Sequence, residues 1–146
     1  MSTKIIIDNT DYDIYPQENG DLLLKPKIIK ISDMDRLKEY DFCNSIIISC
    51  KINNDILNKN KYKPILNYIY NIINNGTKII RNTTLNIKTI KYNIRGYYYL
   101  QDLGISIQGA DSNKSIYEIV NQCNKNNIRL NIKIKLDDNK LINVIV

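Results

Sequence analysis

Apolar positions recur along the chain with two periods. The clearest is the period of two near the end. There Ile128, Leu130, Ile132, Ile134 and Leu136 alternate with Arg129, Asn131, Lys133 and Lys135, the pattern of a strand with one buried and one wet face. Asp137-Asp138-Asn139-Lys140 supplies turn residues before Leu141 to Val146 return, so the spacing predicts a C-terminal hairpin. Near the other end, residues 12–15 and 22–24 flank Pro16-Gln17-Glu18-Asn19-Gly20. Asn-Gly is a strong hairpin signal because both residues tolerate positive φ. KIII at 4–7 and KIIKI at 27–31 read as strands, and Ile46 to Ile48 begin a buried one.

The helical period appears twice. Ile65, Leu66, Ile69, Ile72 and Ile73 share one face of a helix expected over 62–74, with Pro64 in its first turn and Gly76 just past its end. Ile116, Ile119, Val120 and Cys123 do the same over 112–126, with Ser115 and Glu118 at capping-box spacing. Ser32 is expected to cap a short helix over 33–40, with Asp35 at its capping-box position. Strands are expected at 77–81 and at 84–94, where the alternation slips one place after Ile87 as at a bulge. Two more, at 97–100 and 104–108, flank a Gln101-Asp102 turn. These elements predict a single α+β domain over 1–146. Its sheet is mostly antiparallel, two main helices pack on one side, and β-hairpins stand at the N- and C-terminal ends.

Composition narrows the chemistry. The chain holds 30 Ile, 22 Asn, 17 Lys and 11 Tyr but no His and no Trp. The four abundant residues have AT-rich codons, which points to an AT-rich genome such as that of a large DNA virus or some protists. Without His the commonest general acid–base and metal ligand is missing, and Ser-His-Asp or Cys-His catalysis is excluded within the chain. Cys43, Cys50 and Cys123 are odd in number with no C-x-x-C spacing, and read as reduced thiols. Gly104 to Gly109 has the frame of a phosphate loop, but Ala110 and Asp111 stand where Lys and Ser/Thr are needed. Asp8, Asp11 and Asp13 lack the Gly and terminal Glu of a calcium loop. No enzyme activity, cofactor or metal is expected. The first apolar run is three residues long and ends at Asp8, unlike a signal peptide, and no stretch nears the roughly 18 apolar residues of a membrane span. The expected setting is intracellular and reducing: cytoplasm, or host cytoplasm for a viral protein.

Charge placement says more than the net +6. Residues 1–73 balance ten bases with ten acids, while 74–146 carry eleven bases and five acids. From Asp55 to Asp102 no acid intervenes. That stretch holds Lys59, Lys61, Lys63, Lys78, Arg81, Lys88, Lys91 and Arg95, together with Tyr62, Tyr68, Tyr70, Tyr92, Tyr97, Tyr98 and Tyr99. Cations beside flat rings suit single-stranded nucleic acid: phosphates are neutralised and bases stack at roughly 1–3 kcal/mol each. Lys78, Arg81, Lys88, Lys91, Arg95, Tyr97 and Tyr99 are therefore the candidate binding residues, with RNA or single-stranded DNA as partner. Tyrosines also favour protein interfaces. A protein partner, or a second copy of the chain in a structural assembly, is the alternative.

Arg95-Gly96-Tyr97-Tyr98-Tyr99-Leu100 resembles the start of the RNP1 box of RNA-recognition motifs, which runs basic, Gly, aromatic, small, aromatic, aliphatic. Tyr98 replaces the small residue, and Ile46-Ile47-Ile48 carries no RNP2 aromatic. The resemblance extends to the order of elements, strand 46–52, helix 62–74, strands 84–94 and 95–100, helix 112–126 and strand 128–136, and implies Tyr97 and Tyr99, on one face of their strand, as the stacking pair.

Overall fold

The computed structural model describes residues 3–7, 10–74 and 83–146. In chain order the elements are β1 (Thr3–Ile7), β2 (Thr10–Pro16), β3 (Leu22–Pro26), β4 (Ile28–Ile31), α1 (Met34–Leu37), β5 (Ile46–Ile52), β6 (Asp55–Leu57), α2 (Tyr62–Ile73), β7 (Ile87–Lys88), β8 (Tyr97–Leu100), β9 (Ile105–Gln108), α3 (Ser112–Lys125), β10 (Leu130–Lys135) and β11 (Leu141–Ile145). The fold is α+β with antiparallel hairpins at both ends and two main helices, as the periodicity predicts. The strand expected at 77–81, and with it Lys78 and Arg81, lies outside the described residues.

Among the described residues the strands divide among three sheets. β1-β2-β3 forms the first, β4-β11-β10-β5-β6 the second and β7-β9-β8 the third; of the pairings among these residues, only β4 with β11 is parallel. In the five-stranded sheet, alternation sends Ile31, Ile47, Cys50, Ile52, Leu57, Leu130, Ile132, Ile134, Ile142 and Val144 to one face, where all are buried. That face meets α2 and α3 in a single core, with Ile65, Leu66, Ile69 and Ile73 from α2 and Ile116, Ile119, Val120 and Cys123 from α3. Register slips between Lys133 and Ile134, leaving Ile48 as the extra residue of a bulge in β5.

Asparagine does conformational work that the composition alone hides. Asn53, Asn127 and Asn139 have φ of 52, 54 and 68°, a region asparagine tolerates better than other side chains with a Cβ. Asn127 ends α3: the Ile128 N–H reaches back to the Cys123 carbonyl at 3.0 Å, the bond of a Schellman cap. Gly20, at φ 86°, closes the N-terminal hairpin turn, where Gln17 N–H donates to the Asp21 carbonyl at 2.8 Å.

Three local expectations are corrected. Asp33, not Ser32, caps α1, accepting from Asp35 N–H at 2.9 Å, and the helix stops at Leu37. Asp111 caps α3, accepting from Lys114 N–H at 2.8 Å. Ser115 and Glu118 are not a capping box; both lie inside the helix and are buried. Of the strand expected at 84–94, only Ile87–Lys88 pairs, because the chain leaves the sheet to cross its outer face.

Glu118 is the polar centre of the interior. Its side chain is fully buried. Tyr70 Oη donates to Oε2 at 2.5 Å, Thr84 donates to Oε1 through both N–H and Oγ1 at 3.1 Å, and Asn121 Nδ2 donates to Oε1 at 3.0 Å. These donors join α2, α3 and the start of the 83–88 segment at one carboxylate. Among the described residues no cation pairs with it, and these hydrogen bonds offset its desolvation.

Candidate nucleic-acid interface

The small sheet β7-β9-β8 carries the candidate residues. Lys88, Ser106 and Tyr99 lie in one cross-strand row, Ile87, Ile107 and Tyr98 in the next, and Gln108 stands opposite Tyr97. Alternation separates two faces. Ile107 is fully buried, and Ile87, Tyr98 and Leu100 pack on the core beside it. Lys88, Tyr97 and Tyr99 take the other face.

Residues 89–96 return across that outer face. Tyr92 N–H donates to Ser106 Oγ at 2.8 Å, and Ser106 Oγ donates to the Ile90 carbonyl at 2.7 Å. Ser106 is thereby fully covered although it points away from the core. The crossing brings Tyr92 edge-on to Tyr97, with ring centroids 5.0 Å apart and planes at 87°. It ends in a tight turn from Ile94 to Tyr97, closed by Tyr97 N–H to the Ile94 carbonyl at 3.1 Å. Arg95 and Gly96 have φ of 55 and 79°, the paired positive values of a type I′ turn. Gly96 suits its place; Arg95 adopts a backbone that crowds the Cβ of any side chain. Gln108 steadies the turn, donating from Nε2 to the Arg95 carbonyl at 3.1 Å and accepting from Asn86 Nδ2 at 2.7 Å.

Lysines cover the rings. Lys88 Nζ lies 4.7 Å from the Tyr92 centroid and 5.5 Å from that of Tyr97, and Lys91 Nζ lies 5.7 Å from that of Tyr99. On the core side, Lys63 Nζ stands 3.6 Å from the Tyr98 centroid. Such contacts contribute about 0.5–1 kcal/mol each at exposed sites. Among the described residues the ion pairs are Arg36–Glu39 and Lys140–Asp138. Lys63, Lys88, Lys91 and Arg95 therefore have no carboxylate counter-ion among those residues. A cleft of about 370 Å³ opens beside this sheet, with Lys63, Leu66, Tyr97, Tyr98, Gln108 and Ser115 in its wall.

Of the seven candidates, Lys88, Lys91, Tyr97 and Tyr99 come together on one face, and Arg95 stands at its rim; Lys78 and Arg81 are outside the described residues. The RNP1-like fragment does form a strand. That strand lies in a different sheet from β5, whereas RNA-recognition motifs carry both boxes on one four-stranded sheet. Lys63 stands in the basic run without being among the seven candidates, and Glu118 is named only for its capping-box spacing. Ser115, Glu118 and Gln122 do recur at helical spacing as a polar stripe, the one signal that could have exposed the buried cluster.

Other chemistry is sparse. Burial pushes the Cys50 thiol up to about 11 and that of Cys123 to about 12, and the hydrogen bond with Asp41 raises that of Cys43. All three thiols are free. Among the described residues no three metal-ligating side chains cluster, and no helix is long and apolar enough to cross a membrane. Comparisons with protein families, curated proteins and solved structures found no match.

Proposed function

We propose that the protein is a non-enzymatic binder of single-stranded nucleic acid, RNA in the first instance, acting through the outer face of β7-β9-β8. One observation carries the reading: Lys88 and Lys91 sit over Tyr92, Tyr97 and Tyr99 with no paired carboxylate among the described residues. A lysine resting on a ring holds a cation and an aromatic plane within one nucleotide of each other. On binding, the ammonium swings to a phosphate and a base takes its place on the ring. Tyr99 is the platform to test first, because the Tyr92 ring already contacts that of Tyr97.

The test is titration of the intact protein with a fluorescent oligouridylate at several salt concentrations. Binding should weaken with a log–log slope near −0.7 per phosphate contacted. Lys88→Ala and Lys91→Ala should each lower that slope by about one contact, and Tyr99→Ala should cost about 1–3 kcal/mol with the slope unchanged. No binding at low salt, or binding indifferent to all three substitutions, rejects the reading.

A further inference from the structure

The five-stranded sheet has a notch in its edge. β6 is three residues long and pairs only with Cys50, Lys51 and Ile52 of β5. Of the four preceding residues, Ile46, Ile47 and Ser49 pair with β10 on one side and Ile48 bulges between them; among the described residues no strand lies on the other side. Past Leu57 the chain leaves the sheet through Asn58-Lys59-Asn60 to start α2. The departure opens a cavity of about 340 Å³ whose wall includes Ile47, Ile48, Ile56, Leu57, Lys59 and Asn60. Backbone amides and carbonyls on an unpaired edge are a template for another strand.

The side chains around the notch narrow the occupant. Ile46, Ile48 and Ile56 are 61, 54 and 75% exposed, an aliphatic cluster at the lip. Lys59 lines the cavity, and Lys51, Lys133 and Lys135 stand cross-strand from Ile56, Ser49 and Ile46. Among the described residues no carboxylate lines it. Asp55, at the closed end of β6, is engaged by the Tyr68 hydroxyl at 2.8 Å. Two such edges would set these lysines against each other, which disfavours a second copy of the chain. Among the described residues no aromatic ring lines the cavity for a base to stack on, which disfavours nucleic acid.

We propose that this notch accepts an extended segment of a partner protein, alternating aliphatic and acidic residues, which adds to β5 as the missing continuation of β6. At about 3.3 Å per residue a partner strand of about four residues covers Ile46 to Ser49. Its main chain supplies the hydrogen bonds; its aliphatic side chains turn to the core-side face beside Ile47 and Leu57, and its carboxylates turn to the outer face, where Lys51 stands opposite Ile56 and Lys133 opposite Ser49. The notch and the lysine–tyrosine face share no residue, so either proposal survives the failure of the other.

The experiment titrates the full chain with a short capped peptide alternating Glu and Val, read by anisotropy and by amide hydrogen exchange. Three control probes accompany it: the same peptide with Lys for Glu, a Glu-Val peptide with a central Pro, and oligothymidylate. The Glu-Val peptide should slow exchange across Ile46 to Ser49 and bind more weakly as salt rises. The proline peptide should bind about tenfold more weakly, for want of a main-chain donor. Ile48→Glu with Ile56→Glu, both at exposed positions and checked for an unchanged melt, should abolish binding. Absence of protection with peptide at about 1 mM, the affinity floor of a useful contact, overturns the proposal. Equal protection by the lysine peptide, the proline peptide or oligothymidylate overturns it too.

Discussion

Replacing Tyr70 by Phe removes one hydroxyl from the interior and leaves the ring in place. In the native chain that hydroxyl donates at 2.5 Å to Glu118, which is wholly buried. Burial, reinforced by the neighbouring carboxylate, pushes the Tyr70 hydroxyl well above the ordinary phenol range, so it stays a donor wherever the fold survives. A hydrogen bond to a charged group contributes about 1.5–3 kcal/mol, against about 0.5–1.5 for a neutral pair. Tyr70→Phe should therefore cost about 1.5–3 kcal/mol, a large part of the roughly 5–15 kcal/mol that holds a domain together. Glu118→Gln keeps the shape and the Oε1 acceptor for Thr84 and Asn121, and the Tyr70 hydroxyl can turn to accept from the new amide. In that background Tyr70→Phe should cost only about 0.5–1.5 kcal/mol. Urea unfolding of the four proteins in this cycle, followed by far-ultraviolet circular dichroism, gives the coupling directly. Equal costs in both backgrounds would refute the charge-assisted bond. A stabilising Tyr70→Phe would also do so, by showing that the hydroxyl is a burden rather than a partner.

Three further outcomes are expected. Arg95→Asn should raise stability by about 0.5–1 kcal/mol, because asparagine tolerates the left-handed backbone that arginine resists; a lower melting temperature would contradict the type I′ turn. Ile132→Ala, at a fully buried position of the five-stranded sheet, should cost about 2–5 kcal/mol in urea titration, and a near-neutral result would remove that face from the core. Burial raises the thiols of Cys50 and Cys123 from 9.0 in the open chain to about 11 and about 12. Stability is therefore whole below pH 9 and falls as pH rises from there towards 11 and 12, by about 1.4 kcal/mol per thiol per pH unit. Cys123→Ala should flatten that fall, and a wild-type stability that stays constant from pH 9 to 11 would show these thiols to be solvated.

Much of the secondary structure was legible because it follows local periodicity. The strict alternation of 128–136 became β10 at the centre of its sheet, and the apolar face over 62–74 became α2 over Tyr62–Ile73. The failures share a physical cause. Residues 84–94 have strand-like alternation, but Ser106 offers hydrogen bonds that draw the chain over the sheet instead. Ser115 and Glu118 have capping-box spacing, yet the cap belongs to whichever side chain meets the first free amides, and that is Asp111. At the candidate site, the charge run and the tyrosines were visible as a list of residues. Which of them share a face depended on the β8–β9 register.

The order of residues by itself determined the α+β class, the two long helices, both terminal hairpins and an uncompensated cationic stretch, because each is written in the spacing of neighbours. Tertiary structure alone decided the partition into three sheets, the seating of lysines on tyrosine rings, the burial of Glu118 and the unfilled edge beside β5. Those depend on which distant segments meet, and contact between residues far apart in the chain leaves no mark in the local period of either.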